Sequence, residues 1–290
     1  MKISLITTLL SLVENKRIEE EVKALGHDFE LIDLKNFGFI LKEDSFFIPQ
    51  LSDLQTDVII MRGIFNSIKT ISVLINNLRG KDVRVFDNNF LEHRYSIDKV
   101  TDLIKLSIKG ILVPDTAYVR DFSKYQESAE KIGYPVVVKS VRSGKGASVF
   151  RVDSKDSLDV LIRQLVDQGK LAKSYIIQEF IPYKYDLRCL IIGENVFIMR
   201  RIPKKGEFRA NFSLGGSVEL HDLDEEGKRL AKYALRAVNM SVGGVDILID
   251  ESGKRYILEV NHTAGFVGME KATGKNIGRL YLEHALKYAV

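Results

Sequence analysis

The chain has 290 residues, enough for a globular protein to bury roughly three quarters of the surface its unfolded form exposes, in one large or two to three smaller lobes. Its 43 basic and 39 acidic residues leave a net charge of +4 that is dispersed along the sequence, so a basic tract for direct nucleic-acid contact is excluded, while small anionic substrates are not. One cysteine, Cys189, rules out a disulfide framework or a thiolate metal centre within one chain and agrees with a reducing, cytoplasmic setting.

The opening MKISLITTLLSLVENKR imitates a secretory signal, but Ser4, Thr7, Thr8 and Ser11 interrupt the apolar run and no small-residue cleavage site follows. A first strand is the simpler reading. No apolar segment reaches the ~18 residues of a membrane span. Strand and helix patterns then alternate: KISLITTLL, IEEEVKALGH, DFELIDL, DVIIMRG, SIKTISVLINNLRGKD, VRVFDN. Such alternation predicts a parallel sheet covered by helices, an α/β domain over 1–92. No GxGxxG follows the first strand, so a dinucleotide fingerprint is absent.

Residues 93–110 read as a helix closed by Gly110, and AYVRDF as the strand that follows it. A central lobe over 93–174 then carries YPVVVKSV, the small-residue loop SGKGAS, the strand VFRV and a helix from Asp156 to about Gly169. YIIQEFI is predicted to open a third, larger lobe of mixed sheet and helices over 175–290. Cys189, in the strand-like LRCLII, belongs to its core.

Lys139 ends the apolar run Val136-Val137-Val138, so its ammonium is delivered from a buried strand and needs a partner. Just after it, Ser143-Gly144-Lys145-Gly146-Ala147-Ser148 can fold backbone amides over an anion, as an ordinary hairpin loop also can. Arg200 to Arg209 packs five cations into ten residues, either a solvated loop or a phosphate-facing one. Farther on, Val245–Asp250 and Arg255–Val260 read as a hairpin. Folding it symmetrically about Ser252-Gly253 sets Asp250 opposite Arg255, Leu248 opposite Ile257, and Asp246 opposite Glu259. Alternation places Glu259 and Asn261 on one face, with Leu258 and Val260 on the other. Facing carboxylates need a cation between them. Oxygen-only donors favour magnesium or manganese, and an arginine salt bridge is the equal alternative on this hairpin alone.

Taken in order, VVVKSVRSGKGASVF, IIQEFI, DLRCLIIG, MRRIPKKGEFRANFSLGG, GGVDIL and LEVNHTAGFVGMEKATG resemble the RimK-like ATP-grasp ligases over nearly the whole chain. The resemblance implies an ATP-grasp fold, with residues 1–92 as a pre-ATP-grasp domain and ATP between the second and third lobes. It implies that Lys99, Lys139 and the loop residues Ser143, Gly144 and Gly146 hold the ATP phosphates, that Glu179 and Phe180 line the adenine site, and that Asp186 meets the ribose. Arg209 and Asn211 would lie near the phosphates and the reacting acyl group, as the catalytic pair. Asp246, Glu259 and Asn261 would hold two magnesium or manganese ions.

The implied reaction activates a carboxylate as an acyl phosphate, and an amine then displaces phosphate to give an amide. This suits a chain without a convincing Ser-His-Asp or Cys-His set. The family implies an amino acid as one substrate, glutamate foremost, and an acidic protein or carrier terminus as the other. Neither a membrane nor a nucleic acid is expected as a partner, and a homo-oligomer is left open. One departure concerns His262-Thr263-Ala264-Gly265, which replaces the small-residue-plus-proline turn of the ribosomal-protein glutamate ligase branch. EVNHT looks like the LysX branch, which joins an amino acid to a small carrier protein, whereas GEFRANF and MEKATG lean toward the glutamate branch. A small-molecule cofactor or peptide carboxylate as acceptor, and an ATP-binding regulatory protein, are the alternatives.

Overall fold

In a computed structural model of the protein the described residues are 1–38, 40–42, 45–52, 54–64, 82–86, 98–141, 148–210 and 216–290. The N-terminal elements are β1 (Lys2–Thr7), α1 (Val13–Ala24), β2 (Asp28–Asp33), the hairpin β3 (Ile40–Lys42) and β4 (Ser45–Phe47), the short α2 (Pro49–Ser52), β5 (Val58–Met61) and β6 (Arg84–Phe86). A parallel sheet runs β2-β1-β5-β6, as the alternation predicts. Its inner strands, β1 and β5, are buried at nearly every position because both faces of the sheet are covered. Ile3, Leu5, Val58 and Ile60 enter one core, while Ile6, Ile59 and Met61 enter the opposite one. The β3-β4 hairpin has no counterpart among the predicted elements, and the helix expected over SIKTISVLINNLRGKD falls almost wholly outside the described residues.

The middle of the chain forms α3 (Lys99–Ile108), β7 (Thr116–Ala117), α4 (Tyr125–Ile132), β8 (Val136–Ser140), β9 (Val149–Val152), α5 (Lys155–Asp167) and β10 (Tyr175–Glu179). Helix α3 starts at a capping box: Asp98 accepts from the N–H groups of Val100 and Thr101, both at 3.0 Å. The antiparallel sheet runs β7-β10-β8-β9. Strand β10 therefore sits inside this sheet, paired with β7 and β8, and does not open the third lobe as the sequence reading expected. Chain order alone cannot reveal that a strand returns to fill a gap between two earlier ones.

The third sheet contains β11 (Asp186–Ile192), β12 (Asn195–Ile202), β13 (Ser217–Leu220), β14 (Val242–Ile249) and β15 (Arg255–Asn261), with α6 (Glu225–Ala237) on one face. It is antiparallel, in the order β13-β12-β11-β14-β15. Cys189 is buried between this sheet and α6, as expected. The last helices, α7 (Val267–Thr273) and α8 (Ile277–Tyr288), return to the N-terminal sheet: Phe266, Tyr281 and Leu282 share a core with Ile3 and Leu5, and with Leu190 and Ile192 of β11. First and third sheets are thus packed through one continuous core.

Candidate active site

The hairpin β14-β15 aligns Asp246 with Glu259, but not by the symmetric fold. Ile247 pairs with Ile257, Leu248 with Tyr256 and Ile249 with Arg255, so the expected pairings of Leu248 with Ile257 and Asp250 with Arg255 are displaced by one residue. A β-bulge at Leu258 absorbs the difference. An extra residue breaks the strict alternation of faces. Leu258 therefore lines the same cleft as Glu259, contrary to the expected separation, while Val260 enters the core behind the sheet. On the partner strand, a Cβ on Gly244 would lie 3.0 Å from the Cβ of Ala264 and 3.3 Å from that of Asn261. The absent side chain lets the turn after Asn261 close over the sheet.

The bulge is met from the central sheet. Lys139, 8% exposed on β8, points its Nζ at the carbonyl oxygen of Leu258, 3.4 Å away. Burial pulls its pKa down to about 8; Glu259 opposes the shift and Lys99 adds to it. Lys99, in the first turn of α3, holds its Nζ 3.5 Å from Glu259 Oε2. Asn261 donates from Nδ2 to Glu259 Oε1 at 3.2 Å. Two lysines and the carboxylates Asp246 and Glu259 thus converge from four elements on one cleft, with the Asn261 amide bonded to Glu259 beside it.

Asp246 is already charge-paired. Arg188, directly opposite it on β11, donates from Nη2 to Oδ2 at 2.9 Å, and Arg201 Nη2 reaches the same oxygen at 2.8 Å. Burial drives the Asp246 carboxyl up, but the two guanidinium groups overcome it and keep the pKa below its ordinary value. Arg201 also binds both oxygens of Asp186, at 2.6 and 2.9 Å. Asp186 therefore anchors an arginine at the cleft floor. Sequence reading missed Arg188 altogether, although its place on a strand two residues after Asp186 was a usable signal: same-face spacing sets it beside Asp246 once β11 is paired with β14.

The cation-rich segment is largely spoken for as well. Arg200 pairs with Glu219 across β12-β13, and Arg209 forms a two-point pair with Glu207 at 2.9 and 2.7 Å while lining the cleft. At the other end, Glu179 and Phe180 stand at the exit of β10. Arg151 stacks 4.3 Å above the Phe180 ring, and Phe208 meets it edge-on. Glu179, Phe180, Phe208 and Arg209 line one cleft of about 910 Å³, its open mouth included, with Lys99, Lys139, Asp186, Asp246 and Glu259 on its walls. Ser143, Gly144, Gly146 and Asn211, expected at the phosphates and the acyl group, lie outside the described residues.

The donor set fits a hard divalent cation. Asp246, Glu259 and Asn261 offer only oxygen from their acidic and amide groups, and Glu259 is the accessible member, its side chain 28% exposed with a long contact to Lys99. Among the described residues, in the cleft or outside it, no three His, Cys, Asp or Glu side chains cluster as a metal centre, so the donor set here depends on the Asn261 amide beside two carboxylates. No helix among them is long and apolar enough to cross a membrane.

A family model of the RimK-like ATP-grasp domain matches residues 96–284. The probable alpha-L-glutamate ligase 2 of Pseudoalteromonas atlantica is 28% identical over 302 aligned positions, covering 100% of this chain and 96% of the relative. Among solved structures, a RimK domain ATP-grasp protein of Sphaerobacter thermophilus superposes with a TM-score of 0.72 at 18% identity, covering 99% of this chain and 100% of the other. The ATP-grasp ligase PsnB, complexed with a phosphomimetic variant of a minimal precursor, Mg and ADP, also gives a TM-score of 0.72 at 18% identity, covering 98% and 97% of the two chains.

Proposed function

The chain belongs to the RimK-like ATP-grasp family of ATP-dependent carboxylate–amine ligases, and from that premise we propose that it joins glutamate to a carboxylate of a peptide or protein. The observation that carries the reading is the convergence of Lys99, Lys139, Asp246 and Glu259 on one cleft between the two antiparallel sheets. Lysines beside oxygen donors suit a polyphosphate bound together with a cation. The glutamate relative supports the choice of amino acid, and the PsnB precursor complex supports a peptide as the acceptor class.

In this reading Lys99 and Lys139 bind the ATP phosphates, and Phe180, stacked by Arg151, forms the apolar end that takes the base. Glu259 and Asn261, with Asp246 behind them, hold magnesium, which when bound screens the phosphates and aligns the transferred group. Manganese in its place, and a second ion, belong to the same proposal. A substrate carboxylate attacks the γ-phosphorus and ADP leaves. The amine then attacks the acyl carbon, phosphate departs, and the nitrogen gives up its proton. Arg209, held by Glu207 at the cleft wall, orients the acyl phosphate. The ATP requirement and the lone buried thiol support a cytoplasmic setting.

Arg200, Arg201 and Arg209, three of the five cations in the segment from Arg200 to Arg209, are paired internally. The segment offers much less uncompensated charge for drawing in an acidic terminus than its composition suggests. The acceptor proposal therefore rests on the relatives. Mass spectrometry of peptides and proteins from a lysate supplied with ATP and each amino acid in turn tests it. Glutamate-dependent mass gain on a polypeptide, accompanied by ADP, is expected. Gain confined to small molecules would replace the acceptor class.

A further inference from the structure

We propose that Asp102 and His262 form a latch that positions Lys99 for the nucleotide, an inference that rests on Lys99 meeting the ATP phosphates. Lys99 and Asp102 are three residues apart on α3, so they share one face of the helix. That face docks on the end of β15. Asp102 Oδ2 lies 2.8 Å from His262 Nε2, and the two side chains are 6% and 5% exposed. The neighbouring Lys99–Glu259 contact is longer, at 3.5 Å, and wetter, with side chains 19% and 28% exposed.

The two contacts have different uses. A dry, short hydrogen bond fixes where the helix sits. A wet, long ion pair exchanges partners at little cost, so Lys99 can trade Glu259 for phosphate while α3 stays in place. The pair also carries an expense that stability alone does not explain: the other oxygen of Asp102, Oδ1, is buried with no hydrogen-bond partner among the described residues. Burial of a half-satisfied carboxylate is offset if it holds a functional group in register. Asp102 and His262 touch neither ATP nor the reacting atoms in this scheme. They are positioning residues that act through Lys99.

The test is calorimetric titration with ATP and magnesium of the full chain carrying Asp102→Asn, Lys99→Ala, both together, His262→Leu or His262→Gln, with thermal melts to confirm folding. Asp102→Asn and Lys99→Ala should each weaken ATP binding about tenfold, the worth of one charge-assisted hydrogen bond. The double variant should be no weaker than Lys99→Ala, since the latch acts only through that lysine. His262→Leu should lose affinity as Asp102→Asn does, and His262→Gln, which can still donate to Asp102, should regain most of it. Additive losses in the double variant, or parent-like affinity in His262→Leu, overturn the latch. The His262 pair decides alone if Asp102→Asn does not fold. A parent chain that binds no ATP overturns the nucleotide reading itself and the latch with it, an outcome distinct from additivity.

Discussion

Lys139 reaches from the central sheet to the carbonyl oxygen of Leu258, the bulged residue of the third sheet, 3.4 Å away. The contact ties the two walls of the cleft at the place where the strand departs from regularity. It also sets a testable cost. Folding pulls the Lys139 pKa from 10.5 down to about 8, so between those values the unfolded chain binds the extra proton. Stability of the nucleotide-free, metal-free protein should therefore rise with pH across that window, and not fall. Lys139→Met should abolish the rise while weakening ATP binding at least about tenfold. Urea melts from pH 7.5 to 10.5 and calorimetry check the two parts. A parent curve that is flat relative to the variant, or equal ATP affinities, would count against this account.

Glu259→Gln keeps the shape of the side chain and its partner Asn261 while removing the charge. Turnover, followed as ADP release at ordinary magnesium, should fall at least ~100-fold, because holding the cation at the transferred phosphoryl group is worth several kcal/mol. Near-normal ADP production would remove Glu259 from the ligand set.

Arg201 holds Asp186 and Asp246 together in a buried chain of charges. Arg201→Met leaves two buried carboxylates, of which only Asp246 keeps a paired guanidinium, that of Arg188. The loss should be about 3–5 kcal/mol in urea unfolding, the range for removing one partner of a buried ion pair. A loss below about 1 kcal/mol would mean that Asp186 and Asp246 find other compensation.

Burial pushes the Cys189 thiol up to about 12, with the charge of Asp246 adding to the shift. At pH 8 the native protein should not react with an aromatic disulfide reagent on the timescale of minutes, and one thiol per chain should appear on unfolding. Rapid stoichiometric labelling of the folded protein would show that this part of the core opens.

Which donor residues the hairpin brings together was legible in the sequence alone. Counting out from the turn set Asp246 opposite Glu259, and two-residue alternation brought Asn261 to the same end of the strand. The parallel N-terminal sheet was legible too, since strand and helix patterns alternate along the first ninety residues. Other features depend on packing between distant segments. The bulge at Leu258 cancels a one-residue error in the symmetric fold, and the opposing wall of the cleft, through Lys139, meets its carbonyl group. Strand β10 is claimed by β7 and β8, and Arg200 and Arg201 by Glu219, Asp186 and Asp246. Asp102 and His262, 160 positions apart, meet only because α3 docks on β15. Backbone alternation is a local property written into consecutive residues. The partner of a buried charge is selected by packing between segments far apart in the chain, where spacing carries no information.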